Sequence, residues 1–262
     1  MRENVIFGNC FEQLSKIEND SIDLIAIDPP YEISYDNLDW DKKILNWKQL
    51  TDEFYRILKP TGNLIVFQGW SNVSETKKIL EEKFNLKNWI VWDRIKGRGA
   101  KTNMVSTRED ILWLTKSNKY TYNKIYSTIK KKTGGLGAKN GQECRALSNV
   151  WTDISPIVPW SKERVKHPTQ KPIQLMERIV TIFSNPNDLV LDCFAGSGST
   201  GVAAKKLNRN FIMVEKNEEY YKIILNRIKQ MEEKPLDLFT NEIKQIEELP
   251  LELFSNKIKL PE

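Results

Sequence analysis

The chain has 262 residues, of which 40% are hydrophobic, 10% aromatic and 29% charged, with a net charge of +5. That composition excludes a disordered chain, a collagen-like repeat and a disulfide-stapled miniprotein, and no apolar run approaches the roughly 18 residues of a spanning helix. Three scattered cysteines (Cys10, Cys144, Cys193) and one histidine (His167) have no metal-ligand spacing, so no metal is expected, and a start without a secretory signal points to the cytoplasm.

Taken in chain order, short apolar runs alternate with helical patterns. Strands are predicted at Ile22–Ile27, Asn63–Phe67, Trp89–Trp92, Ile111–Leu114, Leu189–Asp192 and Phe211–Glu215. Their nearly continuous β-branched and apolar character suits a sheet buried on both faces. Helices are predicted at Ile44–Leu58, Asn72–Phe84, Ile173–Phe183, Thr200–Leu207 and Glu218–Met231, where apolar residues recur at three and four spacing. Alternating strands and helices imply right-handed βαβ units, and hence an α/β fold with a doubly wound, mainly parallel sheet.

Residues 117–168 break this rhythm with Lys130-Lys131-Lys132-Thr133-Gly134-Gly135, then Pro156, Pro159 and Pro168. They are read as an inserted, loop-rich segment of substrate contacts rather than more sheet. Trp151 and Trp160 within it are read as core anchors. Charge is uneven along the chain. From Arg94 to Lys132 there are eleven Lys or Arg against only Glu109 and Asp110, a local +9, whereas Glu232 to Glu262 has eight acids against four lysines, a local −4. The basic stretch, interleaved with Gly97, Gly99, Tyr120, Tyr122 and Tyr126, suits a polyanion, because cations neutralise phosphates while aromatics and glycines allow stacking and close approach. Residues 1–231 are expected to form one catalytic domain containing the 117–168 insert, followed by an acidic tail over 232–262.

Two motifs carry chemistry. Asp192-Cys193-Phe194-Ala195-Gly196-Ser197-Gly198-Ser199-Thr200-Gly201 follows a predicted strand and opens a helix. Gly196, Gly198 and Gly201 fit the GxGxxG spacing of a nucleotide-cofactor turn, and Glu215 ends the next strand where a carboxylate accepts ribose hydroxyls. This turn alone admits NAD as well, and an NAD-dependent oxidoreductase is a rival reading. Asp28-Pro29-Pro30-Tyr31 lies at the carboxyl end of an apolar strand, where α/β ligand sites form. The paired prolines fix the flanking groups. If Asp28 and the Pro29 carbonyl accept both N–H hydrogens of a base's exocyclic amino group, its lone pair is freed for attack, a form of preorganised electrostatic catalysis. Tyr31 supplies a flat face for the base, which would have to be flipped out of a duplex.

With both motifs in place, the chain resembles the amino-group DNA methyltransferases that use S-adenosylmethionine, in the permuted order where Asp-Pro-Pro-Tyr precedes the Phe-Ala-Gly-Ser-Gly loop. Gly8-Asn9-Cys10, His167-Pro168-Thr169-Gln170-Lys171-Pro172 and Asn185-Pro186-Asn187-Asp188 extend the match over residues 4–230. The resemblance implies a circularly permuted, Rossmann-like methyltransferase fold. It implies that Asp28, Pro29, Pro30 and Tyr31 are catalytic, with Asp28 favouring adenine N6 over cytosine N4. It implies that Asp192, Phe194, Ala195, Gly196, Ser197, Gly198 and Thr200 shape the methionine pocket, that Glu215 with Lys216 lies at the ribose, and that Asn9 and Cys10 border the adenine. His167, Thr169 and Lys171 would close over the cofactor carboxylate, although His167 is as readily a structural group. The partner implied is double-stranded DNA, gripped by Arg94, Lys96, Arg98, Lys101, Arg108, Lys130, Lys131, Lys132 and Arg145, with Arg108, Gln142 or Arg145 reading bases. A restriction system or a phage is the implied setting, with a cognate restriction endonuclease and a homodimer as further candidates. A non-catalytic DNA-binding subunit is disfavoured because the Asp28–Tyr31 motif is complete. The tail repeats Pro235-Leu236-Asp237-Leu238-Phe239 as Pro250-Leu251-Glu252-Leu253-Phe254. These pentapeptides are read as packing back on the domain, with a similarity to sliding-clamp motifs as the alternative.

Overall fold

The computed structural model describes residues 3–31, 45–98, 102, 104–130 and 144–233. Among the described residues, ten strands and six helices follow one another in the order β1 (Glu3–Phe7), α1 (Cys10–Leu14), β2 (Ile22–Ile27), α2 (Trp47–Ile57), β3 (Leu58–Gln68), α3 (Val73–Leu80), β4 (Asn85–Arg98), β5 (Ser106–Thr115), β6 (Tyr126–Lys130), β7 (Cys144–Ala146), β8 (Val150–Trp151), α4 (Ile173–Phe183), β9 (Leu189–Asp192), α5 (Ser199–Lys206), β10 (Asn210–Glu215) and α6 (Glu218–Glu233). Eight strands form one sheet in the order β1-β10-β9-β2-β3-β5-β4-β8. The pairs from β1 through β3 are parallel, β5 runs antiparallel to both β3 and β4, and β8 lies parallel to β4.

Period-two alternation along each strand divides the core into two layers. Leu24 and Ala26 of β2, Ile65 and Phe67 of β3, and Phe211 and Met213 of β10 face α4, α5 and α6. Their neighbours Ile25, Ile27, Leu64, Val66, Ile212 and Val214 face α1, α2 and α3. Both faces are therefore covered, which is why these strands read as unbroken apolar runs. Each fully buried Leu, Ile or Phe contributes about 1.5–3 kcal/mol relative to exposure. Helix α2 shows the matching logic, burying Trp47, Leu50, Phe54 and Ile57 on one stripe, with Asn46 Oδ1 accepting from the Gln49 N–H as its cap.

The structure departs from the sequence reading in places. Strand β1 went unrecognised because Glu-Asn-Val-Ile-Phe is short and half polar, as an edge strand can be; it pairs with β10 from Glu3↔Phe211 to Phe7↔Glu215. The 117–168 segment contributes sheet as well as loop. Strands β6 and β7 pair with each other, and β8 joins the main sheet through Val91↔Val150 and Trp92↔Trp151. Trp151 is buried there and donates to Ser148 O at 2.8 Å, but Trp160 is 79% exposed, so the core reading fails for Trp160. The tail pentapeptides lie outside the described residues.

Candidate active site

Strands β2 and β9 are neighbours, in register at Leu24↔Val190 and Ile25↔Leu191. From β2 the chain crosses through α2 to β3 on one side, and from β9 it crosses through α5 to β10 on the other. A crevice opens at the carboxyl ends of such diverging strands. The two motifs, remote in sequence, meet in it around a cavity of about 500 Å³, within the range of small-molecule sites.

The glycine turn builds one wall. Gly198 has φ of 77° and caps α5, a left-handed conformation natural to glycine, and a Cβ on Gly201 would require the Met213 thioether to move, so α5 packs closely on β10 at this point. Asp192 Oδ1 accepts from the Phe194 N–H at 3.0 Å and Oδ2 from Thr200 Oγ1 at 2.5 Å. Burial pushes Asp192 up to about 7, despite these hydrogen bonds. Glu215 accepts from the Gly196 and Asn217 N–H groups, each at 2.8 Å, and burial raises its pKa too. Phe194, Ala195, Gly196, Ser197, Thr200 and Lys216 line the cavity, whereas Gly198 does not. Asn9 and Cys10 line it from α1. Asn9 Oδ1 also accepts from the Phe11 N–H at 3.0 Å, and burial holds the Cys10 thiol protonated by pushing it up to about 11.

His167, Thr169 and Lys171 also line the cavity. The His167 ring lies 4.4 Å from that of Tyr220 and against Gly196, where a Cβ would sit 2.9 Å from its Nε2. Burial, then the Lys171 and Arg227 charges, push His167 down to about 4, so it is neutral at pH 7, and its buried Nδ1 has no protein hydrogen-bond partner. A neutral imidazole can still take part in hydrogen bonds but brings no positive charge to the cavity.

The Asp-Pro-Pro-Tyr motif forms the far end. Asp28 and Pro30 line the cavity, Pro29 is buried outside its lining, and Tyr31 folds back so that its Oη donates to Asp28 Oδ1 at 2.8 Å. Asn72 Nδ2 fixes the turn by donating to the Tyr31 carbonyl at 2.6 Å. Lys171 Nζ, buried, sits 2.5 Å from Asp28 Oδ2 and 3.2 Å from Glu109 Oε2. Burial alone would lower the Lys171 pKa, but the two carboxylates overcome it and raise the value. Glu109 escaped the sequence reading. The signal was that Glu109 and Asp110 are the only acids in the basic stretch.

The basic residues divide. Arg94 is part-buried, 3.3 Å from Glu109 Oε1 and donating to the Ser106 carbonyl. Arg108 is half-exposed beside Asp110. Lys96 and Arg98 lie on β4, Lys130 ends β6 and Arg145 lies in β7; the structure describes only their backbone. Lys101, Lys131, Lys132 and Gln142 lie outside the described residues. Tyr122 stacks on Trp113 at 5.3 Å and Tyr120 meets it edge-on at 5.6 Å, so these aromatics serve packing first.

Comparison with known proteins agrees with this geometry. The DNA methylase family model N6_N4_Mtase matches residues 22–226. Type II methyltransferase M.HpaI of Haemophilus parainfluenzae is 35% identical over 237 residues, covering 87% of this chain and 74% of that protein. DNA adenine methyltransferase YhdJ of Escherichia coli (strain K12) is 35% identical over 243 residues, covering 86% and 82%. The crystal structure of the M1.HpyAVI–SAM complex superposes with a TM-score of 0.60 at 28% identity, covering 86% of this chain and 98% of that one. The PvuII cytosine-N4-specific enzyme, at 19% identity and a TM-score of 0.66, shares the fold. A family model spanning most of the chain, with relatives matched along most of their own length, leaves the oxidoreductase reading without support: the chain belongs to the N6/N4 DNA methylase family.

Proposed function

We propose that this chain transfers the methyl group of S-adenosylmethionine to the N6 amino group of an adenine flipped out of double-stranded DNA, within a short recognition sequence. The observation that carries the reading is the juxtaposition of a complete Asp-Pro-Pro-Tyr motif with the glycine turn on adjacent strands, around one cavity. The cavity fits the cofactor on chemical grounds. It offers the Glu215 carboxylate, the ionisable Asp192, and the Phe11 and Phe194 rings. When bound, the cofactor supplies an electrophilic methyl group. Asp28 and the Pro29 carbonyl accept the two N–H hydrogens of the target amino group and turn its lone pair outward, while Tyr31 supports the base ring. Adenine is favoured over cytosine by Asp28 and by the name of the relative YhdJ.

Residues 117–168 act as the target-recognition segment on a catalytic domain of residues 1–231, with 232–262 as a tail. The Type II methyltransferases among the relatives support a setting in a restriction-modification system, in the cytoplasm and beside a cognate endonuclease. A homodimer is checked by mass in solution, and clamp docking by pulldown after Phe239→Ala plus Phe254→Ala. The chemistry is tested by incubating purified protein and isotopically labelled S-adenosylmethionine with DNA from a methylation-free host, then digesting to nucleosides. Label on N6-methyldeoxyadenosine is expected. Label on N4-methyldeoxycytidine would replace the base assignment, and unlabelled DNA would overturn the reading.

A further inference from the structure

Asp28, Tyr31, Glu109 and Lys171 close a ring of polar contacts. Tyr31 Oη lies 2.8 Å from Asp28 Oδ1 and 3.3 Å from Glu109 Oε2, and Lys171 Nζ bridges the same two carboxylates at 2.5 and 3.2 Å. Topology brings Glu109 there. Because β5 is antiparallel to β3, its early residues reach the edge where β2 and β3 end, and the pairing Gln68↔Asp110 sets Glu109 level with Gly69, which packs on the Tyr31 ring. Charges balance across the ring, with Arg94 Nη1 3.3 Å from Glu109 Oε1 supplying the second cation. Such a group could be a mere tether between strands, but its contacts occupy both oxygens of the one carboxylate that must accept the substrate. An incoming amino group therefore competes with the Tyr31 hydroxyl at Oδ1. That hydroxyl already has a second acceptor in reach and can switch by rotating its O–H, while Lys171 keeps Oδ2 pinned.

We propose that Glu109 is a positioning residue for the methyl-transfer reaction: it holds Lys171 against Asp28 and receives the Tyr31 hydroxyl when the target amino group takes its place on Asp28. The inference rests on the proposed role of Asp28. Losing this positioning slows the step, and Glu109 itself does not line the cofactor cavity. The titratable and charged groups around Lys171 are Asp28 and the Tyr31 hydroxyl beyond β2, Glu109 of β5 with Arg94 of β4 behind it, and the neutral His167 on its own segment. Removing the Glu109 charge from this set makes Lys171 easier to deprotonate.

The test compares wild type with Glu109→Gln, Glu109→Asp and each on a Tyr31→Phe background. Measurements are kcat on DNA from a methylation-free host across pH, the S-adenosylmethionine Kd by calorimetry, and the pH titration of the Lys171 ¹³Cε resonance in cofactor-free protein. Glu109→Gln is expected to lower kcat about tenfold or more with the cofactor Kd kept within about twofold. The alkaline limb and the Lys171 titration should both move to lower pH. Glu109→Asp should recover part of the rate, and the loss should shrink when Tyr31→Phe has removed the competing hydroxyl. A kcat within about twofold of wild type, or an equal fractional loss on both backgrounds with Lys171 titrating unchanged, would overturn the inference. If Glu109→Gln does not fold, Glu109→Asp carries the same comparison. Wild-type protein that methylates no DNA would sink the functional reading instead.

Discussion

Asp192 and His167, both lining one cavity, give stability opposite slopes with pH. Burial raises Asp192 to about 7, so between about pH 4 and 7 the folded chain keeps a proton that the unfolded chain has lost, and stability falls as pH rises through that window. Burial lowers His167 to about 4, so between about 6.5 and 4 the unfolded chain binds a proton that the folded chain refuses, and stability falls as pH drops. Thermal melts across pH 4–8 should separate them: Asp192→Asn removes the first slope and His167→Gln the second. Identical pH profiles for both variants and wild type would contradict this account of the two side chains. If Asp192 also faces the cationic cofactor, binding favours its ionised form. Calorimetry in buffers of differing ionisation heat should then show protons released on binding near pH 6 and almost none above pH 8. Proton uptake near pH 6 would refute that placement.

At the scale of elements, a part-buried ion pair helps to anchor the segment between β8 and α4. Arg178 of α4 makes two hydrogen bonds to Asp153, at 2.8 and 2.7 Å, while its guanidinium lies 5.3 Å from the Trp151 ring centroid. The guanidinium beside Asp153 holds its carboxyl below the usual range, chiefly through those hydrogen bonds. Asp153→Asn should cost about 1–3 kcal/mol in chemical denaturation, since it leaves a half-buried guanidinium without its charged partner. No change in the midpoint would mean that the pair contributes nothing. This anchor was not legible in the sequence, whereas β2, β9 and α4 were. A run such as Leu189–Asp192 announces a strand buried on both faces, but β8 is two residues long and exists only because β4 offers an unpaired edge. Glu109 shows the same limit in the active site. Its neighbours come from the antiparallel register of β5, and no local spacing encodes them.

Across the whole molecule, the modest +5 hides an uneven distribution, and the structure refines which parts of it face outward. Arg94 is paired with Glu109, whereas Trp70, just past the end of β3, and Trp160 are 63% and 79% exposed and pack little of the core. Both flank elements that build the site, Trp70 next to the Gly69 that packs on Tyr31 and Trp160 on the segment leading to His167. Trp70→Ala and Trp160→Ala should each leave the melting temperature within a degree or two, since surface changes cost little. Each should weaken DNA binding several-fold by fluorescence anisotropy, if the ring stacks on a base. Unaltered affinity in both variants would place the DNA elsewhere.

The central claim is that Asp28 receives the amino group of a flipped adenine. It is tested most directly by expressing wild type and Asp28→Ala in a methylation-free host and mapping modified bases across the genome. N6-methyladenine should appear at one short motif with the wild type and vanish with Asp28→Ala, while the purified variant still binds S-adenosylmethionine. The same modified motif in the Asp28→Ala strain, or none above background with wild type, would contradict the account.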